Sequence, residues 1–173
     1  QFIDFYDSYW GDHYHTTSAD VLDGGKGNDV LHVDGLYSSW GVPGAPGVYA
    51  KLTGGEGYDK FDFTALYWND GNSDFSNIVE ITDFSTGVDS FVFSSLLGSG
   101  TDPGNYVENL TDAGSLAQLG SDAWTALNSG ANYYFGVYNG DGYLVASDDI
   151  FGWGTVVQLT GVTNIDATDI LSA

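Results

Sequence analysis

Two short segments of the 173-residue chain end a glycine-rich run in a carboxylate: Gly24-Gly25-Lys26-Gly27-Asn28-Asp29-Val30-Leu31-His32 and Gly54-Gly55-Glu56-Gly57-Tyr58-Asp59-Lys60-Phe61-Asp62. They align without gaps as G-G-x-G-x-D-x-Φ-x, where Φ is large and apolar. Glycine at the first, second and fourth positions admits the backbone angles of a tight turn whose carbonyls point inward, and the sixth-position aspartate adds a carboxylate. Oxygen ligands of this kind suit a hard cation, calcium above all. Asp29 and Asp59 are therefore candidate carboxylate ligands, and Gly25, Gly27, Gly55 and Gly57 candidate carbonyl donors.

Nine-residue frames drawn outward from these segments catch two partial copies. In frame 15–23, Asp20 and Leu22 fall on the aspartate and apolar positions, and Asp20 and Asp23 join the candidate ligands. In frame 45–53, Leu52 keeps the apolar position while Ala50 replaces the aspartate. Residues 33–44, longer than one frame and containing Gly41, Pro43 and Gly44, read as a looped-out insertion. A nonapeptide of this type makes half a turn of a right-handed parallel coil, its eighth residue starting a short strand and pointing into the core. A cation is then expected between stacked turns, not within one loop.

Composition agrees with that chemistry. The net charge is −21, with Asp supplying 21 of the 24 acids, Lys all three bases and no Arg, which argues against phosphate or nucleic-acid binding. A solubility coat is the other reading of so much negative charge. The chain is 42% hydrophobic and rich in aromatics, so it is expected to fold once the charge is offset. Without cysteine it has no disulfides, and a metal is the alternative stabiliser. No apolar stretch approaches the ~18 residues of a membrane span. The sequence opens with neither Met nor a basic, apolar leader, so export, if any, is expected to be directed from elsewhere or the segment to be an excised one.

The elements that must position the turns can be read more coarsely. Residues 1–15, where Phe2, Phe5, Tyr6, Tyr9, Trp10 and Tyr14 alternate with Asp4, Asp7 and Asp12, read as a strand or cap packed over an edge. His13 and His15, two apart, form a surface metal pair or pack ordinarily. Between Asp112 and Gly130, Leu116, Leu119, Ala123 and Leu127 recur near helical period, which predicts one or two short helices, with Ser121 capping the second half and Gly130 ending it. Ala131–Tyr138 and Tyr143–Ser147 flank the turn residues Asn139-Gly140-Asp141-Gly142, and 155–160 is a further strand. The predicted fold is mostly β: an N-terminal cap (1–15) and a short right-handed parallel β-roll (16–63), continuous with a β-sandwich-like lobe (64–173) carrying the helices.

Here the sequence resembles the repeats-in-toxin family of bacterial type I-exported proteins. After the repeats, Ile78-Val79-Glu80-Ile81-Thr82-Asp83-Phe84-Ser85-Thr86-Gly87-Val88-Asp89-Ser90-Phe91-Val92-Phe93-Ser94 is similar to the strand pair that follows them in serralysin-type C-terminal domains and alginate epimerase R-modules. The resemblance spans roughly 16–94 and implies bound Ca²⁺, a secreted or cell-surface location, folding outside the cell, and Asp83 and Asp89 as further ligand candidates. The tail, with its Y-L-V, V-V-Q-L-T-G-V and D-I-L-S-A runs, is similar to C-terminal regions of large type I-secreted surface proteins, surface-layer proteins among them.

Asp70-Gly71-Asn72-Ser73-Asp74 imitates the start of an EF-hand loop, but Phe75 stands where glycine is required and Ile81 where the bidentate glutamate is, so it reads as a polar loop. No zinc-protease, nucleophile-elbow or phosphate-loop motif occurs, and no catalytic residue is assigned. The expectation is a non-enzymatic calcium-binding structural module. One alternative is a self-assembling surface-layer or filament subunit with calcium-mediated contacts, which exposure of Trp10, Trp40, Trp68 and Trp153 would favour. The other is a carbohydrate-binding accessory module with a polysaccharide partner.

Overall fold

A computed structural model of the chain describes residues 2–5, 20–33, 48–64, 75, 78–147 and 155–173. Among them the fold is mostly β, with parallel strands dominating both of its sheets. The strands are β1 (Phe2–Phe5), β2 (Asp20–Asp23), β3 (Val30–Val33), β4 (Val48–Thr53), β5 (Lys60–Asp62), β6 (Ile78–Ile81), β7 (Ser90–Phe93), β8 (Tyr106–Asp112), β9 (Tyr133–Tyr138), β10 (Asp141–Ala146), β11 (Thr155–Leu159) and β12 (Ile170–Ser172). One α-helix, α1 (Leu116–Asn128), and a short 3-10 helix (Ala167–Asp169) complete the described elements.

One sheet has the order β1-β3-β5-β7-β12 and is parallel throughout. The other runs β2-β4-β6-β11-β10-β9-β8; its first four strands are parallel, and β11, β10 and β9 follow as antiparallel neighbours. Successive coils of the roll use one strand of each sheet: β2 with β3, β4 with β5, β6 with β7, and finally β11 with β12 after β8, α1, β9 and β10 have intervened. The predicted edge element at the N-terminus contains β1, which lies parallel to β3.

Burial alternation holds the coils together. The eighth-position residues stack as Leu31, Phe61 and Phe91, with Ile170 next in the row, and the facing sheet stacks Leu22, Leu52, Ile81 and Leu159. All eight are buried in one core. Each such side chain removed from water contributes ~1.5–3 kcal/mol. A second core lies on the other face of the seven-stranded sheet, where Leu119, Ala123 and Leu127 of α1 cover Tyr134, Tyr143, Val145 and Val156.

The helix differs in detail from its sequence reading. It is one unbroken helix, capped by Ser115, whose side chain accepts from the Gln118 N–H, and Ser121 lies within it. Ser115 supplies the oxygen acceptor that the first turn's orphan N–H groups need. Gly130, with φ 103°, follows the C-cap as expected. Asn139 and Gly140, both at positive φ, make the two-residue hairpin turn between β9 and β10.

Candidate metal centre

The glycine turns stack directly on one another with a repeat of thirty residues. The Asp29 N–H donates to Asp59 Oδ1 at 2.8 Å, and the Asp59 N–H donates to Asp89 Oδ1 at 3.0 Å, each across thirty residues. All three aspartates are buried, at 2%, 1% and 7% exposure. The same ladder joins the turn backbones: Gly27 N–H to the Glu56 carbonyl and Glu56 N–H to the Gly25 carbonyl, both 2.8 Å. A Cβ on Gly55 or Gly57 would lie 1.9 Å from the Gly25 or Gly27 carbonyl oxygen, and both residues have positive φ, so only glycine fits there.

Oxygen atoms approach each of the first-position glycines. A Cβ built on Gly24 would lie 2.6 Å from the Gly54 carbonyl oxygen and 3.0 Å from Asp29 Oδ2, and one on Gly54 would lie 2.6 Å from Asp59 Oδ2. Asp59 Oδ2 is buried and accepts no hydrogen bond among the described residues. A buried carboxylate oxygen with no donor is costly, which makes it the candidate position for a cation. The protein offers little compensation of its own: Lys26 pairs with Glu56 at 3.0 Å and Lys51 with Glu80 at 2.9 Å, so two of the three lysines are engaged away from the aspartates.

The third turn, Phe84–Asp89, is built differently. Its Asp89 Oδ2 accepts the Ser85 N–H at 2.8 Å, so both carboxylate oxygens are satisfied by backbone donors. Its first position is Phe84 instead of glycine, and that ring stacks on Phe91 at 4.3 Å in the core. Burial, followed by the charges of Asp59 and Asp83, holds the Asp89 carboxyl above the ordinary carboxylate range, against the lowering effect of the Asp59 and Ser85 donors. The amide equivalent to Ser85 in the second turn, Gly55 N–H, is turned to Asp83 Oδ2 at 2.8 Å, while Gly54 N–H donates to Asp83 Oδ1 at 2.9 Å.

Sequence reasoning named ten residues, and the structure distributes them unevenly. Asp29, Asp59 and Asp89 stand in one buried row, with Gly25, Gly27, Gly55 and Gly57 in the turns beside it. Asp83 caps the second turn through its N–H groups. Asp20 and Asp23 belong to β2, in register with Ala50 and Thr53, and Asp23 is exposed. The frame beginning at Phe84 places Gly87, Asp89 and Phe91 on the fourth, sixth and eighth positions thirty residues after the second repeat; that spacing was the available signal for a third turn. Asp169 had no local signal: its carboxylate accepts from Gly87 N–H at 2.9 Å and from the Thr86 hydroxyl, closing the third turn from 82 and 83 residues away. The His13–His15 pair, the EF-hand-like loop at 70–74 and Trp10, Trp40, Trp68 and Trp153 lie outside the described residues.

Among the described residues no three His, Cys, Asp or Glu side chains gather as a metal-binding cluster. A site of two carboxylates completed by backbone carbonyls needs no such cluster and matches the oxygen preference of calcium better than that of zinc.

No family model matches the chain, and no curated protein matches it. Among solved structures the chain is similar to the solution structure of the AlgE6R3 subunit from the Azotobacter vinelandii mannuronan C5-epimerase, at 24% identity and a TM-score of 0.46, over 88% of this chain and 67% of that one.

Proposed function

We propose that the chain is a calcium-binding structural module of the repeats-in-toxin type, part of a secreted or cell-surface bacterial protein that passes through a type I exporter and folds outside the cell as calcium binds. The observation that carries the calcium reading is Asp59 Oδ2, buried without a donor beside the first-position Gly54 of its own turn. Asp29 and Asp59 would supply the charged ligands and the turn carbonyls the neutral ones. A divalent ion there offsets repulsion between carboxylates one coil apart. At the ~4.8 Å strand spacing and an effective dielectric near 20, that repulsion is about 3 kcal/mol per pair. Because the ligands come together only in the folded stack, binding free energy becomes folding free energy. The role is structural and not catalytic.

Calorimetric titration of the metal-free chain with CaCl₂ tests this reading. Saturable binding that Asp59→Asn abolishes is expected; absence of binding at millimolar calcium would overturn the reading.

A further inference from the structure

We infer that the module is divided by its own hydrogen bonding into a calcium-gated part, the first two coils, and a metal-independent base formed by the third coil and everything after it. The inference rests on the calcium reading above and says which segments that calcium controls.

The two interfaces between turns are built on different principles. In the first two turns the first position is glycine: the Gly54 carbonyl and Asp29 Oδ2 approach Gly24, Asp59 Oδ2 approaches Gly54, and Asp59 Oδ2 has no donor. In the third turn every equivalent demand is met by the chain. Ser85 N–H satisfies Asp89 Oδ2, the Phe84 ring takes the place of the glycine, and Asp169 accepts from Gly87 N–H and the Thr86 hydroxyl. Asp169 is itself fixed by a reciprocal cap with Asp166 at the 3-10 helix.

Packing follows the same division. The base carries Phe91, Phe93, Tyr133, Phe135, Leu144 and Ile170 of the roll core, together with the whole helix-covered second core apart from Phe75. The first two coils contribute only Leu22, Leu31, Val33, Ala50, Leu52, Phe61 and Phe63 to the roll core and nothing to the second one. With calcium withheld, the coils that lose a counter-charge are also those with the least burial to spare. Local opening of this kind is the rule where buried apolar contacts are few. The module then works as a graded calcium sensor: a permanently folded base presents the β6 and β7 edges on which the first two coils order as calcium rises.

Hydrogen–deuterium exchange of the intact chain in chelator and in millimolar calcium separates the outcomes. Amides of 21–33 and 50–62 should gain at least about tenfold in protection with calcium, while those of 133–146 and 155–160 stay protected in both conditions. Asp59→Asn in calcium should reproduce the chelator pattern. Loss of protection everywhere in chelator would overturn the division while leaving the calcium reading standing. No change anywhere would overturn both.

Discussion

The backbone N–H of Asp29 donates to the side chain of Asp59, thirty residues further on, at 2.8 Å, and this one bond states the logic of the roll. Each turn lends an amide to the carboxylate of the next, so the charged groups are held in a buried column instead of spreading into solvent. The column must be neutralised or it opposes folding.

Removing the column's charge locally should weaken calcium binding selectively. Asp59→Ala should lower calcium affinity at least about tenfold, the cost of one lost charge-assisted ligand. Asp102→Ala should leave affinity unchanged, since Asp102 accepts the Ser99 N–H in an exposed loop after β7. Equal affinities in titration calorimetry would contradict the assignment of the turns.

Backbone geometry makes a second test independent of charge. Gly55→Ala places a Cβ 1.9 Å from the Gly25 carbonyl oxygen at φ 97°, whereas a Cβ at Gly114 meets nothing within 4 Å. Gly55→Ala should cost at least about 1–3 kcal/mol in calcium. Gly114→Ala should fall within ~0.5 kcal/mol of the parent in the same denaturant titrations.

Core and surface apolar residues should separate just as clearly. Phe91 is fully buried between Phe61, Phe84 and Phe93, while Leu96 is 73% exposed. Phe91→Ala should destabilise by ~3–5 kcal/mol and Leu96→Ala by ~0.5 kcal/mol or less, read from urea midpoints.

Two carboxylates give the metal-free chain a pH dependence of known sign. Asp89 is held above the ordinary range, so its contribution is fully present below its unfolded pKa and is lost as pH rises through the folded value. Asp62 behaves oppositely: burial pushes its carboxyl up, but donors from Thr64 and the His32 imidazole, 3.1 Å away, outweigh it and hold the carboxyl low. Its contribution is present above its unfolded pKa and is lost as pH falls through the folded value. In chelator the melting temperature should therefore rise as pH is lowered from 7 toward the ordinary Asp value of about 3.9 and fall again below it. A steady decline from pH 7 downward would contradict the placement of Asp89.

The glycine repeats, the turn at Asn139-Gly140 and the helix ending near Gly130 were legible because each depends on residues adjacent in sequence, although Asp141 and Gly142, read as turn residues, belong to β10. The third turn was harder to see, since Phe84 and Ser85 replace its first two glycines and leave only Gly87, Asp89 and Phe91 in frame. Its substitutions are what let the chain satisfy that turn with Ser85 N–H and an aromatic stack. Ser121 caps nothing because the helix runs unbroken from Leu116, with the extended Ser115 as its N-cap. The Asp169 contact joins residues 82 positions apart, and no local pattern encodes it. The return of β11 and β12 to the roll after β8, α1, β9 and β10 is likewise a tertiary fact.

If calcium completes the fold, thermal melting followed by circular dichroism in chelator, in magnesium and in millimolar calcium will show it. Calcium at about a hundredfold excess over its dissociation constant should add roughly 2.7 kcal/mol per site, raising both the β signal and the melting temperature. Magnesium should do little, because it holds its water and demands a tighter octahedral shell. A chelated chain with the full β signal and the same melting temperature as the calcium-loaded one would show that calcium does not complete the fold.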